Sequence, residues 1–115
     1  MSLPFLRPDV RSRLFGGDGE VRVESLRGEL VAPFVAALHC ELSAQGSVGK
    51  HRQEHDDEIV IALEGDAVLY VDGKSHAVTP GSVVALRLGA TLEIVNASRD
   101  APFRYLIIKA HRDDT

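Results

Sequence analysis

The feature that most restricts the fold of this chain is a series of short β-rich runs separated by turn residues. The runs cover residues 21–23, 34–42, 48–53, 58–63, 66–71, 75–78, 83–86, 91–96 and 103–109. Runs that recur every 8 to 12 residues or so are typical of an all-β sandwich or barrel. Because no segment has the period and length of a competing helix, the pattern predicts one antiparallel sandwich closed into a barrel.

Two local patterns favour strands and a tight turn. In the run 34–42 alternate residues form a largely apolar face, made of Phe34, Ala36, Leu38, Cys40 and Leu42. That period of two is the side-chain period of a β-strand. Asp72-Gly73 stands between two further runs, and this pair is a strong hairpin signal because a type I′ turn needs positive φ at both central positions.

The chain divides into one domain with a short segment on either side. Residues 1–19 contain Pro4, Pro8 and the stretch Gly16-Gly17-Asp18-Gly19, which favours an N-terminal arm or edge strand over a helix. Residues 20–110 are expected to form the single barrel, since a chain of 115 residues is long enough for one core. Residues 111–115 are polar, and we expect a frayed tail that includes His111.

Some of the runs are apolar on both sides. Ile59 and Ile61 alternate with Val60 and Ala62, and the run 103–109 behaves in the same way. One side can fill the barrel, but the other needs cover from a second layer, the N-terminal arm or another subunit. We therefore predict a homodimer.

Composition and charge exclude several kinds of partner. The 13 basic and 17 acidic residues give a formal net charge of -4 without a Lys/Arg patch, so no nucleic acid is expected. No apolar run approaches the roughly 20 residues that cross a bilayer and no signal core is visible, so no membrane partner is expected. The single cysteine, Cys40, requires no oxidising compartment, which makes a cytoplasmic location the default.

Three polar residues can meet inside such a barrel. His51 and Gln53 lie two apart in one run, so their side chains point to the same side with Cα atoms about 6.6 Å apart. Glu58 opens the next run and can face the same interior if the two strands pair. The imidazole, the amide and the carboxylate then form the polar end of a predicted ligand pocket.

Around these residues the chain resembles the cupin family. The resemblance covers roughly residues 34–109 and rests on two motifs, in which the matching residues are His51, Glu58, Gly65, Gly81, Gly89 and Asn96. It implies a double-stranded jelly-roll β-barrel that usually holds a metal. It also places Leu92 and Asn96 in the pocket with the three polar residues.

Two of the four positions that carry metal ligands in cupins differ here, because Gln53 and Leu92 replace histidines. A neutral amide oxygen is a weak ligand for transition metals, and leucine is none. We therefore expect His51, Gln53 and Glu58 either to bind no metal or to hold Mn, Fe, Ni or Zn only weakly. His55 could help only after a sharp chain reversal, since four residues of straight strand span about 13 Å; a solvated turn histidine is the alternative.

Without a metal, Glu58 would face an apolar interior, where burial raises the pKa of its carboxyl group. We then expect it to bond His51 or Gln53, because buried polar groups need partners. Glu58 and His51 are the candidate catalytic residues, as a general base and acid. His39 is expected at the surface or an interface, and Cys40 as a small buried hydrophobe without an activated thiolate.

Three functions remain open at this point. The first is a small-molecule-binding barrel whose metal site is weak or absent. The second is a metal-dependent dioxygenase, isomerase or decarboxylase that uses His51 and Glu58, a reaction class that only the family resemblance suggests. The third is a dimerising structural module with a vestigial pocket.

Overall fold

The computed structural model describes residues 3–112, and it confirms the all-β prediction. The strands are β1 (Asp9–Ser12), β2 (Glu20–Ser25), β3 (Phe34–Leu42), β4 (Ser47–Arg52), β5 (Asp56–Glu64), β6 (Ala67–Val71), β7 (Lys74–Val78), β8 (Val83–Leu86), β9 (Thr91–Val95) and β10 (Phe103–His111). They form a six-stranded sheet of order β1-β2-β3-β10-β5-β8 and a four-stranded sheet of order β4-β9-β6-β7. The two antiparallel sheets make a jelly-roll barrel.

The expected hairpin joins β6 to β7. Val71 pairs with Lys74 across the turn, and the two residues between them, Asp72 and Gly73, have φ of 50° and 80°. Positive φ at both positions is what a type I′ turn requires. The Asp72 carboxylate also accepts a hydrogen bond of 2.9 Å from the Thr91 amide, so the turn is tied to the first residue of β9.

Alternate residues of the strands fill the space between the sheets. Leu42, Leu69 and Phe103 are completely buried there, and the Phe103 ring stacks on Tyr105 with centroids 5.0 Å apart. Leu42 pairs with Phe103 on one side and with Val21 on the other. The period of two read from the sequence therefore does select the residues that form the core.

The N-terminal segment is both an arm and an edge strand. Strand β1 pairs with β2 at the border of the larger sheet, and Phe5, Leu6 and Arg7 lie over the outer face of that sheet. There Phe5 stacks on His39 with ring centroids 4.1 Å apart, while the Leu6 and Arg7 amides donate to the Glu24 carboxylate. The expectation of a surface or interface His39 is therefore wrong: the arm leaves the residue 1% exposed.

The expectation of a frayed polar tail from residue 111 onward is also wrong for His111 and Arg112. Strand β10 continues through His111, which pairs with Asp56 of β5. The next residue, Arg112, donates to the Asp57 carboxylate over 2.7 Å. Residues 113–115 lie outside the described part of the chain.

The outer face of the larger sheet carries the surplus apolar side chains that the sequence indicated. Ile59 and Ile61 of β5 pair with Ile108 and Leu106 of β10, and all four are half-buried. The arm covers the part of this face around His39. Among the described residues no helix is long and apolar enough to cross a membrane.

Candidate functional site

A cavity of about 570 Å³ lies between the two sheets. Its walls are mainly aliphatic and come from both sheets, with Val23, Leu38, Val48, Leu92, Ile94 and Ile107 among the contributors. The polar side chains of His51, Gln53, Glu58, Tyr105 and Lys109 also line it. Further lining residues are charged or titratable: Asp9, Arg11, Arg52, Glu54, His55 and Asp56. The structure thus brings the three predicted polar residues to one cavity and adds a lysine and a tyrosine.

His51 is held by its own strand and by an aromatic neighbour. The pairing of β4 with β9 is interrupted between Val48 and His51, and it resumes with His51 opposite Leu92. The imidazole Nδ1 donates to the Gly49 carbonyl over 2.9 Å. Because a carbonyl oxygen only accepts, Nδ1 carries the proton, and Nε2 of the neutral ring is left as an acceptor. Burial lowers the pKa of His51, which favours this neutral form.

Phe15 is the aromatic neighbour that packs on His51, and the sequence did not predict this contact. Its ring stacks on His51 with centroids 4.0 Å apart and planes inclined by 11°. Phe15 lies in a 3-10 turn, Leu14–Gly16, with φ of 53°, a left-handed conformation that is rare for a bulky residue. The two glycines Gly16 and Gly17 were the available signal that the backbone here takes an unusual course.

Gln53 follows β4 and is fixed through its main chain. Its amide donates to the Ala90 carbonyl and its carbonyl accepts from the Gly89 amide, both over 2.8 Å. The residue is buried and lines the cavity. The side-chain amide therefore sits at the cavity wall on an anchored backbone.

Glu58 is the most informative group of the site. It is 4% exposed, and its cross-strand partner on the inner face is Lys109, whose Nζ lies 3.8 Å from Oε1. The other oxygen, Oε2, is buried without a hydrogen-bond partner in the described chain. The expected bond from Glu58 to His51 or Gln53 is therefore wrong, because the cross-strand register sets Lys109 beside the carboxylate.

Burial raises the pKa of Glu58 to about 6, although the Lys109 ammonium opposes the shift. The unpartnered oxygen explains why burial dominates, since a carboxylate without donors is poorly solvated in an apolar cavity. At neutral pH the group is mostly ionised and offers a strong acceptor to whatever enters the cavity.

Cys40 and Tyr105 lie side by side in the wall of the same cavity. They are cross-strand partners in β3 and β10, and both are buried. Burial raises the pKa of Cys40 to about 12 and that of Tyr105 well above its ordinary value. The interpretation of Cys40 as a small buried hydrophobe is confirmed, because so high a pKa leaves no thiolate to react.

The remaining two predicted pocket residues have different positions. Leu92 lies in the cavity wall. Asn96 does not line the cavity, because its side chain is used in the fold: Nδ2 donates to the carbonyls of Ser43 and Ala101 over 3.1 and 3.0 Å. The placing of Asn96 in the ligand pocket is therefore corrected to a structural role, in which it ties the end of β9 to two loops.

The residues present do not fit a transition metal. Within residues 3–112 no three His, Cys, Asp or Glu side chains come together as a ligand set. The Glu58 carboxylate, an expected ligand, lies beside the positive charge of Lys109, 3.8 Å from Oε1, and this charge repels a second cation. His55 is exposed at the cavity rim and does not complete a set.

These observations define a class of protein, a double-sheet jelly-roll barrel with a cavity between its sheets. A model of the cupin domain matches residues 38–109, more than half of the chain, and the protein belongs to the cupin family. A comparison with curated proteins gives no match.

Solved structures of similar fold come from several organisms. A predicted oxalate decarboxylase from Thermotoga maritima is 24% identical with a TM-score of 0.79, covering 91% of this chain and 92% of that chain. A cupin 2 conserved barrel domain protein from Salinispora arenicola is 26% identical with a TM-score of 0.69, covering 95% and 90%. KdgF from Halomonas sp. is 17% identical with a TM-score of 0.66, covering 92% and 89%. At these identities the likenesses support the fold.

Proposed function

We propose that this cupin binds a small, mainly apolar molecule in the cavity between its sheets, without a tightly held metal. The observation that carries the proposal is the Glu58 carboxylate, which lines the cavity with Oε2 buried and unpartnered. Buried polar groups almost always have partners in folded proteins. A ligand that donates to Oε2 would supply the missing hydrogen bond.

The aliphatic walls supply the second part of the argument. Ligand pockets are concave and mostly apolar, with a few polar groups that fix orientation, and volumes of about 300 to 1,000 Å³ are common. The cavity of about 570 Å³ has this character. Burial of apolar ligand surface contributes about 25 cal/mol per Å², so the walls provide affinity and the polar end provides selectivity.

Filling the cavity tests this function. Leu38→Phe enlarges a residue of the cavity wall, and Val83→Phe makes the same kind of change on the outer face, where Val83 is 59% exposed. Ligand-observed NMR with a set of small aromatic ketones should show binding to the wild type and to Val83→Phe, and weaker binding to Leu38→Phe. Equal binding to all three proteins, or none to the wild type, would contradict the proposal.

A metal-free proton-transfer enzyme is a second candidate, favoured by one observation. Glu58 lines the cavity with Oε2 unpartnered, where it could take a proton from a bound molecule. A general base works best when its pKa lies near the working pH, and burial raises the pKa of Glu58 to about 6. Exchange of the α-hydrogens of a bound ketone with deuterium, followed by NMR, tests this activity. Exchange that disappears in Glu58→Gln would support the enzyme, and binding without exchange would leave a binding protein.

A further inference from the structure

The pairing of Glu58 with Lys109 points to a ligand class. Resting on the proposed function, we propose that Lys109 takes the electrostatic place of a metal cation, and that the ligand is an uncharged molecule carrying a hydroxyl beside a carbonyl oxygen. The hydroxyl donates to Glu58 Oε2, and the carbonyl accepts from the Lys109 ammonium. An apolar body lies against the aliphatic walls.

The position of Lys109 follows from the strand register. Phe103, Tyr105 and Ile107 alternate along β10 on its inner face, and Lys109 continues that face. It lines the cavity and is opposite Glu58 in the pairing of β10 with β5. A positive charge, on a side chain that is 33% exposed, therefore lies beside the buried carboxylate, which would otherwise need a bound cation.

The distance between the two charged groups leaves both of them available to a ligand. Nζ of Lys109 lies 3.8 Å from Oε1 of Glu58, which exceeds the usual hydrogen-bond length of about 2.7 to 3.2 Å. The ammonium has three donors, and Oε2 has no partner within residues 3–112. A donor and an acceptor on neighbouring ligand atoms can bridge such a pair.

The charge balance selects an uncharged ligand. The carboxylate and the ammonium cancel, so a ligand with a net charge would leave one charge unpaired in the interior, which is costly. Of the other charged residues that line the cavity, Asp9 and Arg11 pair over 2.6 Å and Asp56 lies 3.4 Å from His111. Arg52 and Glu54 are exposed to solvent. The side-chain amide of Gln53, which can both donate and accept, suits the same uncharged head group.

Three related probes test the class by isothermal titration calorimetry at pH 7.5. 2-Hydroxyacetophenone has the hydroxyl and the carbonyl, acetophenone has only the carbonyl, and mandelate has a hydroxyl and a negative charge. We expect 2-hydroxyacetophenone to bind about tenfold more tightly than acetophenone, the effect of one hydrogen bond to a charged group. Mandelate should bind more weakly than both.

Variants assign the two contacts. Glu58→Leu should remove the preference for the hydroxyl, so that 2-hydroxyacetophenone and acetophenone bind alike. Lys109→Met should weaken the binding of both ketones, and Lys109→Arg, which keeps the cation, should retain most of it. Val83→Ala on the outer face is the matched control and should bind as the wild type does. Circular dichroism shows which variants fold, and the wild-type probe series decides the class if a variant does not.

The outcomes separate this inference from the proposed function. Equal affinity for the two ketones in the wild type, or unchanged affinity in folded Lys109→Met, would overturn the ligand class while the cavity remains a binding site. No binding of either ketone would overturn both. Binding that requires added Mn²⁺ or Zn²⁺ and is lost with EDTA would overturn the role of Lys109 as the cation.

Discussion

Gly49 lies directly against the backbone of Phe15, and a Cβ built on Gly49 would come 2.0 Å from the Phe15 carbonyl oxygen. The contact is reciprocal, since a Cβ on Gly17 would come 2.1 Å from the Ser47 carbonyl oxygen. The 3-10 turn therefore packs against β4 through main-chain atoms. This packing positions the Phe15 ring over His51.

We expect Gly49→Ala to unseat this turn. The added methyl meets backbone rather than a flexible side chain, so the protein should lose about 2 to 4 kcal/mol of unfolding free energy in urea. Gly16→Ala is the matched control: no atom lies within 4 Å of its Cβ, and only the positive φ makes alanine unfavourable, at about 1 kcal/mol. Equal losses in the two variants would show that the close approach is unimportant.

The Phe15 and Phe5 rings should each lower the pKa of one histidine, His51 and His39 respectively, independently of each other. Burial lowers the pKa of both His51 and His39, so exposing either ring should raise its pKa toward the ordinary value. Phe15→Ala should raise the pKa of His51 and leave His39 unchanged, and Phe5→Ala should do the reverse. NMR titration of the imidazole Cε1 protons measures both, and a shift of the same histidine in both variants would contradict the assignment.

Glu58 should make stability depend on pH between about 4.5 and 6. Its pKa is raised from 4.5 to about 6 in the folded state, so the folded protein binds the proton more tightly than the unfolded chain. The contribution is fully present below pH 4.5 and is lost as the pH rises through about 6, about 2 kcal/mol in total.

Glu58→Gln isolates this contribution from that of the other carboxyl groups. Across the same interval, the stability of the wild type relative to Glu58→Gln should fall, as measured by urea unfolding at several pH values. A constant difference between the two proteins would show that the folded and unfolded pKa values are equal.

Cys40 should resist thiol reagents in the folded state. Its side chain is buried and its pKa is raised to about 12, so both access and thiolate are lacking. Labelling by a disulfide reagent at pH 8 should be complete in denaturant and at least about a hundredfold slower without it. A ligand bound in the cavity should slow it further, because Cys40 lines that cavity. Fast labelling of native protein would contradict the burial.

The homodimer stays a prediction. The half-buried residues Ile59, Ile61, Leu106 and Ile108 form the apolar patch that a second copy would cover. Sedimentation equilibrium at micromolar concentration should give twice the chain mass of 12.5 kDa, and Ile108→Arg should lower the measured mass toward that of one chain. Lys74→Glu, on exposed β7, is the control. A monomeric wild type would leave the arm as the main cover of this face.

The sequence was sufficient for the fold because its strands alternate clearly. The sequence also predicted that His51, Gln53 and Glu58 share one cavity, since that inference needed only strand geometry. The same rule could have predicted the position of Lys109, because this residue continues the inward face of the strand after Tyr105 and Ile107. A charged residue near the end of a strand is, however, usually expected to be solvent-exposed.

Other features could not be read from local pattern. The burial of His39 and the stacking of Phe15 depend on where the N-terminal segment folds back, which no strand period encodes. The role of Asn96 depends on the carbonyls of Leu42 and Ser43, 54 and 53 residues away along the chain, and on that of Ala101. Such contacts arise only after the barrel has closed.

The larger sheet ends on its two shortest strands. Both β1 and β8 have four residues, and β1 carries the opposite charges of Asp9 and Arg11. Short, charged edge strands have few free amide and carbonyl groups to which the backbone of another chain could hydrogen-bond. The borders of this sheet are therefore poor sites for edge-to-edge association with another chain.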